Sequence, residues 1–214
     1  MIKKDAFKTL ETCRIIPVIA LDLPQDTLPV ADAVIAGGLP VIEITFRTAA
    51  AAEAIQTLTR QRPNLLVGAG TLLTVENLEK AAAAGAAFGV APGFNARVAR
   101  RAAELGLPFI PGVATATEIE AALELGGKVL KFFPAGALGG LKALNALAAP
   151  FLHTGVRFVP TGGVSADNLA DYLGAQSVLA VGGTWLATSE DIRKGAWAAV
   201  AGKCRQAVEI RDAR

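Results

Sequence analysis

Lys131 stands inside the run Val129-Leu130-Lys131-Phe132-Phe133-Pro134, where apolar neighbours leave an ammonium little water to hold its charge. Burying a charged amine is expensive, and such groups tend to give up the proton. Lys3, Lys4, Lys80, Lys142 and Lys194 lie instead in polar or helical stretches, where a solvated charge is expected. Lys131 is therefore a candidate nucleophile for imine formation with a carbonyl substrate.

A second group of chemically useful residues lies in Val41-Ile42-Glu43-Ile44-Thr45-Phe46-Arg47. In an extended strand the side-chain period of two sends Glu43, Thr45 and Arg47 to one face and Ile42, Ile44 and Phe46 to the other. Val67-Gly68-Ala69-Gly70-Thr71 ends on a hydroxyl. Pro160-Thr161-Gly162-Gly163 and Val181-Gly182-Gly183-Thr184 each place glycines at a strand end, where backbone without Cβ brings its N–H groups close to an anion. Each feature also has a plainer reading. Glu43 and Lys131 could be a buried salt bridge, Arg47 a solvated loop cation, Thr71 a hydroxyl bonded to backbone, and the glycine pairs ordinary tight turns. Gly139-Gly140 reads as a helix start. Convergence on one pocket is what favours the functional reading.

The elements that must position these residues recur at a steady interval. Eight β-prone runs are present: residues 15–21, 40–46, 65–71, 88–93, 108–113, 129–134, 157–163 and 178–185. Alanine-rich amphipathic segments separate most of them, over 28–36, 49–59, 75–84, 96–105 and 116–125. Gly37-Gly38, Gly85, Gly106 and Gly126-Gly127 mark helix stops, while Thr74, Asn95, Thr115 with Glu118 and Ser165 with Asn168 mark starts. Alternation of strand and helix with short connections predicts a parallel sheet covered by helices. The expected architecture is α/β, a single (β/α)8 TIM barrel spanning residues 1–214, with an open doubly wound sheet as the alternative. An extra N-terminal helix before Cys13 and a closing helix over residues 191–210 complete it. In such a barrel functional groups gather at the carboxyl ends of the strands, and phosphate sites lie after the seventh and eighth strands.

Composition narrows the function. The 21 basic and 19 acidic residues are interspersed and leave a net charge of only +2, so no footprint for nucleic acid or an anionic membrane is present. No apolar stretch reaches the roughly 18 to 20 residues of a membrane span, and the N-terminus lacks the apolar segment of a secretory signal. A cytoplasmic protein is expected. Cys13 and Cys204 are widely separated and read as small apolar fillers. His153 is the only histidine, which excludes mechanisms that need a histidine pair or a multi-histidine metal site.

Glu43-Ile44-Thr45-Phe46-Arg47-Thr48, Val67-Gly68-Ala69-Gly70-Thr71, Pro92-Gly93, Pro111-Gly112, Lys131-Phe132-Phe133-Pro134-Ala135 and Pro160-Thr161-Gly162-Gly163 together resemble the 2-keto-3-deoxy-6-phosphogluconate aldolases of the Entner-Doudoroff pathway. The resemblance runs in order from about Ile15 to Trp185. It implies a class I aldolase on a (β/α)8 barrel, assembled as a homotrimer, acting on a small-molecule 2-oxo acid sugar phosphate with no cofactor and no metal. It further implies that Lys131 is the Schiff-base lysine and Glu43 the proton shuttle. Arg47 and Thr71 then hold the pyruvyl carboxylate, and Pro92 and Phe133 line that end of the pocket. Thr161 contacts a substrate hydroxyl, while Gly162, Gly163, Gly183 and Thr184 form the phosphate site. The family often has serine at position 184. Alternatives that remain are an aldolase for 4-hydroxy-2-oxoglutarate or for the epimeric phosphogalactonate compound, and a non-catalytic sugar-phosphate-binding barrel or assembly module.

Overall fold

The computed structural model describes residues 5–213, so Lys3 and Lys4 lie outside the described residues. Helix α1 (Ala6–Cys13) precedes strand β1 (Ile15–Ile19). There follow α2 (Thr27–Ala36), β2 (Val41–Thr45), α3 (Ala51–Gln61), β3 (Leu66–Gly70), α4 (Val75–Ala83), β4 (Phe88–Val90) and α5 (Ala96–Glu104). Next come β5 (Phe109–Ile110), β6 (Gly112–Val113), α6 (Ala116–Glu124), β7 (Val129–Phe132), α7 (Gly140–Ala148), β8 (Arg157–Pro160), α8 (Ala166–Gly174), β9 (Val181–Gly183), α9 (Ser189–Arg193) and α10 (Trp197–Asp212). Each of the eight β-prone runs contains strand, and the five amphipathic segments fold as α2 to α6 with ends shifted by one or two residues.

Local chemistry accounts for these boundaries. The Thr74 side chain accepts from the Asn77 N–H, Asn95 accepts from the N–H groups of Arg97 and Val98, and Thr115 and Glu118 cap each other reciprocally. Gly38, Gly85, Gly106 and Gly126 all stop their helices in the left-handed conformation. The inward face of α3 carries Ala51, Ala54, Ile55 and Leu58, the spacing that lays one apolar stripe against a sheet.

The result is an α/β fold of parallel strands. Six strands in the order β5-β4-β3-β2-β1-β9 form a sheet curled into a half-barrel, and β6-β7-β8 form a second, three-stranded sheet. Both sheets are buried on both faces, as expected of parallel strands between helices. The fifth run was expected as one strand over 108–113. It is instead two short strands, β5 paired with β4 and β6 paired with β7, and Pro111 between them has no N–H to donate on the side its carbonyl shares with β7. The Pro111 carbonyl accepts from the Lys131 N–H at 2.8 Å, so the chain passes from one sheet to the other at this residue. At the opposite edge, parallel bridges join Phe158 to Val178 and Thr161 to Gly182.

The closing helix over 191–210 is also corrected. It is two helices, α9 and α10, separated at Gly195, which takes φ +59°. Asp191 ties the pieces together: its carboxylate accepts from the N–H and hydroxyl of Thr188 and from Lys203 Nζ at 2.6 Å. Cys13 and Cys204 are buried and unpaired. Burial pushes the Cys204 thiol up to about 12, so it stays protonated and apolar, the filler role expected of it.

Burial alone raises the Asp191 carboxyl, but the bonds from Lys203 and Thr188 outweigh it and hold the group below the usual carboxylate range. A depressed folded-state value contributes stability above the unfolded pKa of about 3.9 and loses it as pH falls through the folded value. Asp191→Asn is therefore expected to be less stable than the parent at pH 7, with the gap narrowing below about pH 4. Urea unfolding at pH 7 and pH 3 checks this, and a gap independent of pH would exclude the ion pair as its source.

Candidate active site

Lys131 is the third residue of β7 and pairs with Gly112 of β6 on one side and Val159 of β8 on the other. Its side chain is 8% exposed and its Nζ lies 3.9 Å from Glu43 Oε1 on β2, whose side chain is 3% exposed. At this separation the two attract as ions without a direct hydrogen bond. Glu43 Oε1 is a buried acceptor with no hydrogen-bond partner among the described residues, an arrangement that costs stability. Burial pushes the Glu43 carboxyl above its ordinary range, opposed in part by the positive charges of Lys131 and then Arg47.

Lys131 Nζ also lies 5.2 Å from the centre of the Phe133 ring. An edge of that ring approaches Gly162, where an added Cβ would stand 3.3 Å from it. Phe133 thus touches the glycine loop after β8 and lies near the amine. Pro92, half-buried after β4, presses its carbonyl into the space above Gly112, directly beside Lys131 in the ladder.

Arg47 follows β2 and is exposed. Its Nε donates to Thr45 Oγ1 at 3.2 Å, and that buried hydroxyl donates to the Ile19 carbonyl at 3.1 Å. Thr71 follows β3 directly at φ +59°, a left-handed conformation that β-branched residues rarely adopt. Such strain collects at functional sites, where surrounding structure holds it.

The glycine loops sit beside one another. Gly162 and Gly163 take φ +84° and +83°, and the carbonyls of Thr161 and Gly162 accept from the N–H groups of Ala135 and Gly136. Thr161 is buried against Gly182, and the Trp185 ring covers the position a Cβ on Gly183 would need. Thr184 is exposed immediately after β9. Lys131 and Phe133 from β7 and the residue after it, Glu43 from β2, Pro92 from the residues after β4, and Thr161 and the glycines from β9 and the loop after β8 thus supply the site. A buried amine beside a carboxylate that binds its proton tightly is equipped for imine formation and proton transfer.

A family model described as "Aldolase: KDPG and KHG aldolase" matches residues 7–203. The chain belongs to this family. It is 48% identical over 204 residues, 95% of this chain and 96% of the relative, to the 2-dehydro-3-deoxy-phosphogluconate aldolase of Treponema pallidum. It is 41% identical to the KHG/KDPG aldolase of Escherichia coli, over 97% of this chain and 96% of that one. Among solved structures, KDPG aldolase from Legionella pneumophila, with pyruvate captured at low pH as a covalent carbinolamine intermediate, superposes with a TM-score of 0.90 at 36% identity, covering 95% of this chain and 98% of that one.

Two supporting residues of this aldolase-family site were not assigned from sequence. Thr45 was visible as a polar residue on the Glu43 face, but its grip on Arg47 needs the neighbouring strand. Asn168 was visible only as a helix cap. Its Oδ1 accepts from the Ser165 N–H at 2.9 Å, and its Nδ2 donates to the Gly163 carbonyl at 3.0 Å, so it also braces the glycine loop. Asn168→Ala is expected to lower stability by about 1 kcal/mol and to raise KM for a phosphorylated substrate with little change in kcat. Unfolding curves with steady-state kinetics check both parts; an unchanged KM would show that the brace has no bearing on the loop.

Proposed function

We propose that this chain is a class I aldolase that cleaves 2-keto-3-deoxy-6-phosphogluconate to pyruvate and glyceraldehyde 3-phosphate, and 4-hydroxy-2-oxoglutarate to pyruvate and glyoxylate. The observation that carries this is the buried Lys131 amine 3.9 Å from Glu43 in a chain of this family. Lys131 Nζ adds to the substrate C2 carbonyl, and the carbinolamine loses water to give an iminium. Glu43 takes the proton of the C4 hydroxyl while the C3–C4 bond breaks, the electrons pass into the iminium as an enamine, and the aldehyde leaves. Protonation at C3 and hydrolysis then release pyruvate and regenerate the amine. The carbinolamine captured in the Legionella protein supports the first step.

Arg47 and Thr71 orient the substrate carboxylate, Arg47 with a fork suited to two-pronged contact. Pro92 and Phe133 line that end. Thr161 takes a substrate hydroxyl, and Gly162, Gly163, Gly183 and Thr184 take the phosphate, whose remote binding energy aligns the reacting carbons. The two sheets are read as arcs of one single-domain (β/α)8 barrel with α1 as its extra helix. Chain continuity through Pro111 and the bridges at Phe158–Val178 and Thr161–Gly182 support closure. Assembly as a homotrimer is supported by uncovered apolar surface. Leu73 is 55% exposed, and a groove of about 230 Å³ carries Phe7, Phe94 and Phe109 on its walls. Phosphorylated substrates and two unpaired cysteines fit a cytoplasmic setting.

Incubation with pyruvate and borohydride is expected to leave a stable adduct on Lys131, found by intact mass and peptide mapping, and Lys131→Ala is expected to lose both adduct and cleavage. Near-normal turnover in that variant would sink the mechanism. Because the Glu43 carboxyl is raised, it protonates at a higher pH than an ordinary glutamate. The acid limb of kcat is therefore expected above the usual carboxylate range. Glu43→Gln should lower kcat by about 10²- to 10⁴-fold and abolish that limb, and a limb that persists would assign it to another group.

A further inference from the structure

The inward positions of β3 are glycines, Gly68 and Gly70, and both are filled by a neighbour. A Cβ on Gly68 would fall within the Phe88 ring from β4. A Cβ on Gly70 would fall on the Glu43 carboxylate from β2, meeting Oε1 and lying 2.8 Å from Cδ and 2.9 Å from Cγ. In the ladder Glu43 faces Gly68 and Thr45 faces Gly70, so the Glu43 side chain runs forward along the sheet and lies across the Gly70 backbone. Gly70 has no left-handed backbone to explain its identity. The space above it is occupied by Glu43.

We propose that Gly70 is a positioning residue for Glu43, acting by absence: the bare backbone is the seat on which the carboxylate rests at its distance from Lys131. This rests on the aldolase reading and extends it to a residue that touches no substrate. Three contacts on successive atoms of one side chain, from Cγ to Oε1, define the direction of the glutamate as well as its reach. A methyl group there forces the carboxylate to rotate or lift, because Glu43 is buried and β2 and β3 are paired along their whole length. The Glu43–Lys131 distance and the burial that raises the Glu43 carboxyl then change together.

The test is a double-mutant cycle in the full chain: Gly70→Ala, Glu43→Ala and the pair, with Gly68→Ala as a control. Gly70→Ala is expected to lower kcat by about tenfold or more, with KM changed by less than about threefold, and to move the acid limb of the pH profile. In a Glu43→Gln background it should bring no comparable further loss of kcat. Gly68→Ala, which presses on Phe88, should lower stability and leave the limb in place. In unfolding curves Gly70→Ala should destabilise much less when residue 43 is alanine, and if the single variant does not fold the pair should recover. Equal destabilisation in both backgrounds, no recovery in the pair, or a parental pH profile in Gly70→Ala would overturn the proposal. Failure of the aldolase reading would show differently, as a parent without cleavage activity whose stability coupling between positions 43 and 70 persists.

Discussion

An amine and a carboxylate held 3.9 Å apart inside the protein set the terms for much of what surrounds them. Each charge loses water on burial, and their mutual attraction offsets that loss only in part, so a pair of this kind contributes little to stability by itself. It survives because a large apolar scaffold can carry it: the faces of β2 and β7 away from the pair bury Ile42, Ile44, Leu130 and Phe132 almost completely. The same burial leaves Glu43 holding its proton more tightly than a surface glutamate, which is useful where one carboxylate has to move protons in more than one step.

Space is arranged around this pair as deliberately as charge. Glycines lie wherever one element must approach another at backbone distance: Gly112 beneath the Pro92 carbonyl, Gly182 beneath the Thr161 hydroxyl, Gly183 beneath the Trp185 ring. None of these three has a left-handed backbone, so conformational freedom is not their reason. They are small because other atoms use the volume a Cβ would take: the Pro92 backbone at Gly112, and the Thr161 and Trp185 side chains at Gly182 and Gly183. Gly162 and Gly163 differ, since their positive φ angles make the turn itself.

Much of this was legible along the chain. The alternation of strands and helices, the caps at Thr74, Asn95 and Thr115, and the glycine stops follow from interactions within a few residues, which local sequence encodes directly. The two errors of continuity have local causes with non-local weight. Pro111 divides a run that looks like one strand because its missing N–H matters only once a partner strand is present. Gly195 separates α9 from α10 with its left-handed backbone, and the Asp191–Lys203 pair ties the two pieces across that break.

By itself, the sequence determined which residue types were available for chemistry: one lysine in an apolar run, one glutamate and one arginine on the same strand face, and glycines at two strand ends. Those follow from side-chain identity and the period of a strand. Only the tertiary structure decided how far Lys131 stands from Glu43, that Thr45 holds Arg47, that Thr71 is strained, and that Asn168 braces Gly163. Distances between strands depend on how many elements are packed together, and no stretch of sequence contains that information on its own.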